Sequence, residues 1–247
     1  YYFLQISFLE ITFTSACIPR FLYSLSTGDR IVTYGSCICQ LFFTYLFGIT
    51  QFFLLAAMSY DRYVAICKPL HYVTIMTHSF CKRLVLCCWT ITLLILIPGI
   101  ILFLNLEFCD SNAIDHFFCD AYPMLKISCS DIWLIEKMVL YSSTFILVVT
   151  IIFVVLSYIS IIQMILKFPS AQQRKKAFST CSSHMIVVSI TYGSCIFVYI
   201  KPSAKDETAI NKGVTVMNTA VSPMFNPFIY TLRNKQVIQV FNSLVLK

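Results

Sequence analysis

Charge is the first thing this chain is short of. Asp, Glu, Lys and Arg make up 12% of its 247 residues, against roughly 25% in an ordinary soluble domain. That shortfall excludes a fully solvated surface around a packed core. Glycine is scarce at six residues, and there is no internal repeat, no low-complexity tract and no Pro/Gly/Ser-rich linker, so one domain over 1-247 is expected. No basic stretch is interleaved with base-stacking aromatics, so nucleic acid is not an expected partner. No His, Cys, Asp or Glu set has zinc-type spacing, and no metal centre is expected. What fills the chain instead is apolar: 58% of residues are hydrophobic, with 22 Phe and 14 Tyr, and mean hydropathy is +0.80. The expected solvent is a lipid bilayer.

Crossing a hydrocarbon core of about 30 Å takes roughly 20 apolar residues in a helix. Stretches near 1-23, 33-60, 84-106, 138-166, 177-200 and 213-232 meet that length. Helices are the economical reading, because the alternation of a membrane barrel is absent and an unpaired backbone group in lipid costs several kcal/mol. Tyr1 already stands inside an apolar run, with neither an initiator Met nor a signal peptide before it. The expectation is therefore a fragment whose amino terminus is missing. Loop charge sets the orientation: Lys68, Lys82, Arg83, Lys167, Arg174, Lys175, Lys176, Arg233, Lys235 and Lys247 share one side, with no acid beyond the border residue Asp61. That side is cytoplasmic by the positive-inside rule. The other loops hold Asp110, Asp115, Asp120, Asp131 and Glu136 among their acids. The net charge of +7 thus hides a polarised molecule suited to lipid headgroups and an intracellular partner.

Cys109, Cys119 and Cys129 lie in the longest outer loop and Cys37 at the outer start of the second span. An even set in an oxidising compartment permits two bridges, and the residues alone leave all three pairings open. The other cysteines fall in lipid or at the cytosolic face, where a buried free thiol is usual. At the opposite end of the second span the apolar run breaks off with Asp61 and Arg62 side by side. An arginine is a permanent charge that can exchange one partner for another without titrating.

Four motifs carry a resemblance: MSYDRYVAICKPLHY at 58-72, HFFCD at 116-120, KAFSTCSSH at 176-184 and PMFNPFIYTLRNK at 223-235. Together they resemble the signature set of vertebrate olfactory receptors, a family of rhodopsin-like G-protein-coupled receptors, and the similarity runs from Tyr1 to Lys247. PLHY at 69-72 resembles the tetrapod-type class. The resemblance implies an all-α membrane protein, a rhodopsin-like seven-transmembrane bundle of which six helices are present, with a short amphipathic helix at 234-246. It implies a multi-pass plasma-membrane receptor with a cytoplasmic carboxyl terminus. A further helix and an extracellular amino terminus would precede Tyr1. The disulfides it implies are Cys37 with Cys119 and Cys109 with Cys129. Asp61, Arg62 and Tyr63 match the G-protein coupling triplet, in which the arginine leaves its acidic neighbour to meet a G protein of the stimulatory, olfactory type. Tyr230, one turn beyond the kinking Pro227, matches the tyrosine that swings inward as that cavity opens.

Helical rise of about 1.5 Å per residue places Glu10, Gln51 and Asn226 at similar depths. Matching positions in the family form a polar, often sodium-binding cluster. Gln51 stands where many relatives carry Glu, which removes a formal charge, so a protonated Glu10 bonded to Gln51 or Asn226 is the alternative to a sodium ion; no other cofactor is implied. In the outer half Thr44, Tyr45, Gly48 and Ile49 occupy inward-facing steps of one helix, Tyr192, Cys195 and Tyr199 recur on another, and Val216 and Thr219 supply a third wall. By resemblance these line the cavity for a small volatile odorant. The outer-loop acids are expected to be solvated, leaving no acid at pocket depth, so the expected ligand is neutral, mainly apolar and carries one oxygen. Two other classes are weighed. A transporter would need discontinuous helices in matched halves, and an enzyme would need more than His184 beside Ser182 and Ser183. A truncated, non-functional receptor remnant is the remaining alternative.

Overall fold

The computed structural model describes residues 2–109, 113–114, 116 and 118–200, with side chains from Gln5 to Ile196. The long elements are α1 (Tyr2–Thr27), α2 (Tyr34–Cys67), α4 (His78–Leu104), α6 (Trp133–Leu166) and α7 (Ala171–Ile200). Two short helices, α3 (Tyr72–Ile75) and α5 (Ala121–Lys126), sit in the connections, α3 directly after a 3-10 turn at Pro69–His71. Among the described residues the only β pairing is an isolated bridge between Phe108 and Ser128. The apolar stretches near 1-23, 33-60, 84-106, 138-166 and 177-200 fall on α1, α2, α4, α6 and α7 to within a few residues. The span at 213-232, with its Pro223 and Pro227, and the tail helix at 234-246 lie outside the described residues.

α2 and α4 each begin on a capping threonine. Thr33 Oγ1 accepts the Ser36 amide at 3.3 Å to start α2, and Thr77 does the same for Phe80 at 3.3 Å to start α4, satisfying amides that have no partner within the helix. Pro69 has no amide proton to continue α2, and the chain tightens into the 3-10 turn there. Gly28 closes α1 in the left-handed region at φ 74°, where a side chain would be strained.

α2 is the shaft of the bundle, packed against α1, α4, α6 and α7. Leu54, Leu55 and Val64 of α2 join Ile6 and Leu9 of α1, Val85 of α4, Ile161 of α6 and Val187 of α7 in one core. Thr50 and Thr92 meet at 3.2 Å across α2 and α4, while the Thr92 hydroxyl donates to the Cys88 carbonyl at 2.9 Å. α6 buries one stripe, Ile146, Thr150, Val154, Ile161 and Ile165, yet leaves Phe145, Ile152, Phe153, Leu156 and Ile159 exposed. A helix that is apolar on its outer face as well as its inner one is built for lipid. Among the described residues α2, α4 and α6 are each long and apolar enough to cross a membrane. α1 and α7 are of similar length but carry more polar residues, Gln5, Glu10 and Arg20 in the first and Arg174, Lys175 and Lys176 in the second.

Leu54 is 0% exposed, so Leu54→Ala leaves a cavity that its neighbours can fill only in part. The expected cost is about 2–5 kcal/mol, seen as a lower thermal midpoint of the purified, detergent-solubilised protein. An unchanged midpoint would contradict the packing described.

Candidate functional site

Two polar constellations hang from opposite ends of α2. At its carboxyl end Asp61 is only 4% exposed and its Oδ2 pairs with Arg62 Nη2 at 2.8 Å. Tyr72, on α3, donates its hydroxyl to Asp61 Oδ1 at 3.0 Å. Burial first, and then the charge of Asp61, pushes the Tyr72 phenol up to about 12, so it remains a protonated donor at any physiological pH. Arg62 keeps a third of its side chain exposed, 33%, and is thus held from one side and open on the other. Tyr63 is half-buried, with its ring 6.1 Å from that of Tyr60.

His184, which stands beside Ser182 and Ser183 in the sequence, is a structural clamp. It is 2% exposed and stands 2.7 Å from the Tyr158 hydroxyl through Nδ1 and 3.2 Å from the Leu55 carbonyl through Nε2. A carbonyl can only accept, so Nε2 carries the proton and Nδ1 accepts from the tyrosine. The imidazole thereby ties α7 to α6 and α2, with both nitrogens occupied by structure.

At the other end of α2 a cavity of about 230 Å³ opens between α2, α6 and α7. Thr44, Tyr45, Gly48, Ile49 and Cys195 line it. Tyr192 lies beneath, buried, its ring edge-on to Phe52 at 5.2 Å, and Phe52 forms part of the wall. The side chain of Tyr199 and the residues Val216 and Thr219 lie outside the described residues, as do Tyr230 and Asn226. α6 adds Ser143, Ile146 and Leu147, which the sequence did not single out because that helix is apolar on every face.

A lid crosses this end. Cys37 is bonded to Cys119 and Cys109 to Cys129, with Cα separations of 5.3 and 5.8 Å. Gln40 fastens the same segment, accepting the Cys119 amide at 3.0 Å and donating to the Ala16 carbonyl at 2.9 Å. The lid corrects one expectation. Asp120 is not a solvated loop acid: it lines the cavity together with Phe118. Its Oδ1 accepts the Tyr45 hydroxyl at 2.9 Å and the Ala121 amide at 2.8 Å. The physical reason is the bridge beside it, which fixes Cys119 to the first turn of α2 and swings the next residue over Tyr45, about two turns further down.

Of the three polar-core residues, Glu10 is 4% exposed on α1 and Gln51 is half-buried on α2. They provide one carboxylate and one amide. Among the described residues no group of three or more His, Cys, Asp or Glu side chains is placed to hold a metal ion.

Comparison with known proteins places this geometry. A family model described as olfactory receptor matches residues 1–247. Human olfactory receptor 6C2 is 68% identical over 244 residues, covering 98% of this chain and 78% of that protein. Human olfactory receptor 6C68 is 64% identical over 248 aligned positions, covering 100% of this chain and 80% of that protein. Among solved structures, the crystal structure of squid rhodopsin superposes with a TM-score of 0.70 at 16% identity, over 98% of this chain and 70% of that one. At that identity the likeness shows the fold alone.

The lid geometry gives a direct check on the thiols. Peptide mapping under non-reducing conditions is expected to recover Cys37 joined to Cys119 and Cys109 joined to Cys129, with Cys17, Cys81 and Cys181 free. Recovery of Cys37 joined to Cys109 would contradict it.

Proposed function

Because the chain belongs to the olfactory receptor family, a family of multi-pass membrane receptors and not of enzymes, we propose that it binds a small volatile odorant in the cavity beneath the lid. It then activates a heterotrimeric G protein of the stimulatory type at the Asp61–Arg62 end. The observation that carries the proposal is that one helix holds both devices. Tyr45 on the cavity wall and Arg62 are 17 positions apart on α2, about 25 Å along a helix.

The cavity suits a small, mainly apolar molecule. Ile49, Phe52, Phe118, Ile146 and Leu147 contribute its apolar wall, and its volume sits just below the range of drug-sized pockets. At the far end, Asp61 is restrained by both Arg62 and Tyr72. In the resting arrangement the guanidinium is a pre-aimed donor for the carboxyl-terminal helix of a G-protein α subunit. A shift of α2 against α6 and α7 releases it, since the His184 clamp bridges those three helices. The surplus of bases on this side, with Lys68, Lys82, Arg83 and Lys167 among them, supports reading it as the cytoplasmic side of the plasma membrane by the positive-inside rule, with the carboxyl terminus on that side in this reading.

Cyclic AMP in cells expressing the receptor is the assay. Arg62→Ala is expected to abolish the odorant-evoked rise while surface expression stays near normal, because the substitution removes a partner contact and no core volume. A rise of normal amplitude and potency in that variant would refute the assigned role. Tyr72→Phe removes a hydrogen bond to a charged group, worth roughly 1.5–3 kcal/mol, and is expected to raise ligand-independent cyclic AMP several-fold by loosening Asp61. An unchanged basal level would show that Tyr72 does not restrain the pair.

A further inference from the structure

We propose that Asp120 is the anchoring acceptor for the ligand, so that the cavity selects molecules that donate a hydrogen bond, alcohols in the first place, over acceptor-only molecules of the same skeleton. The proposal rests on the reading of this cavity as the odorant site and adds its polar chemistry.

The polar groups on the described wall fall into two sets. Two hydroxyl protons are already committed to protein acceptors: Tyr45 donates to Asp120 at 2.9 Å and Ser143 donates to the Val139 carbonyl at 2.7 Å. Thr44 Oγ1 meets Cys17 Sγ at 3.4 Å, with either atom able to donate. The Cys195 thiol is a weak donor by nature. Acceptor capacity, by contrast, is in surplus. A carboxylate offers about four lone-pair sites, and among the described residues the donors that reach Asp120, from Tyr45 and the Ala121 amide, both go to Oδ1. A ketone, ester or ether entering this space would find at most the Thr44 hydroxyl to meet its oxygen among these groups. A hydroxyl would find a charged acceptor, and bonds of that kind are roughly twice as strong as neutral ones.

Position supports the same assignment. The Cys37–Cys119 bridge and the Gln40 contact to the Cys119 amide fix the residue before Asp120 on two sides, so the carboxylate is pre-placed rather than recruited. Orientation of the ligand follows, with its polar end under the lid at Asp120 and its hydrocarbon toward Phe52 and Leu147.

The test is a panel in which every carbon skeleton appears as primary alcohol, methyl ether and ketone, read as cyclic AMP in cells expressing the native receptor and Asp120→Asn. Asn still caps α5 and still accepts from Tyr45, but it replaces one carboxylate oxygen with a donor NH₂. The native receptor should respond to the alcohol at concentrations roughly 10- to 100-fold lower than to the matched ether or ketone, the ratio one lost hydrogen bond to a charged group represents. Asp120→Asn should collapse that ratio to within a few-fold or reverse it toward the ketone. An ether or ketone as potent as its alcohol in the native receptor overturns the proposal, and that arm stands even where the variant fails to reach the surface. An undiminished alcohol preference in Asp120→Asn overturns it as well. Silence of the whole panel contradicts instead the odorant-site reading on which it rests, so the two failures are distinguishable.

Discussion

A helix enclosed by four others has no water to offer its polar side chains, so polar groups on α2 find partners on other elements. Gln40 reaches α1 and the lid, Thr44 reaches Cys17, Tyr45 reaches Asp120, Thr50 reaches Thr92 and Asp61 reaches Tyr72. Apolar contact gives the bundle its bulk, while these pairings fix the rotation and height of α2 within it. Such pairings are few and specific, and an altered position of α2 would be felt at several of them together.

That arrangement is what joins the two ends. The cavity is walled by the same helix whose last turns hold Arg62, and the His184 clamp sits between them on the Leu55 carbonyl. On the proposed function, a ligand lodged against Tyr45 and Phe52 would act on α2 and, through the Phe52–Tyr192 contact, on α7. Interdigitated helices shift between discrete packings rather than deforming smoothly. On the proposed function the restrained guanidinium would be the output, because it needs no titration, only a change of partner.

Some of this was legible in the sequence because the information is local. Apolar run lengths gave the long helices, and helical spacing put Thr44, Tyr45, Gly48 and Ile49 on one cavity-facing side. Asp61 and Arg62 are neighbours in the chain, so their pairing needed no fold. Asp120 was misjudged because its place depends on a bond to a residue 82 positions away, which periodicity cannot express. The signal was present nonetheless: a residue next to Cys119, once that cysteine is joined to Cys37, must lie over the first turns of α2. The structural role of His184 was not legible, because its partners, Tyr158 and Leu55, belong to two other helices. On α6 the uniform apolarity that suits lipid erased any mark of which face looks inward.

The central claim is that occupancy of the cavity is converted into G-protein activation through α2. Guanine-nucleotide exchange on a purified stimulatory G protein, measured with the purified receptor in lipid nanodiscs, tests it with no other cellular component present. The account predicts that an odorant which binds the receptor accelerates exchange in proportion to its occupancy. An odorant that binds at saturation and leaves the exchange rate unchanged would contradict it.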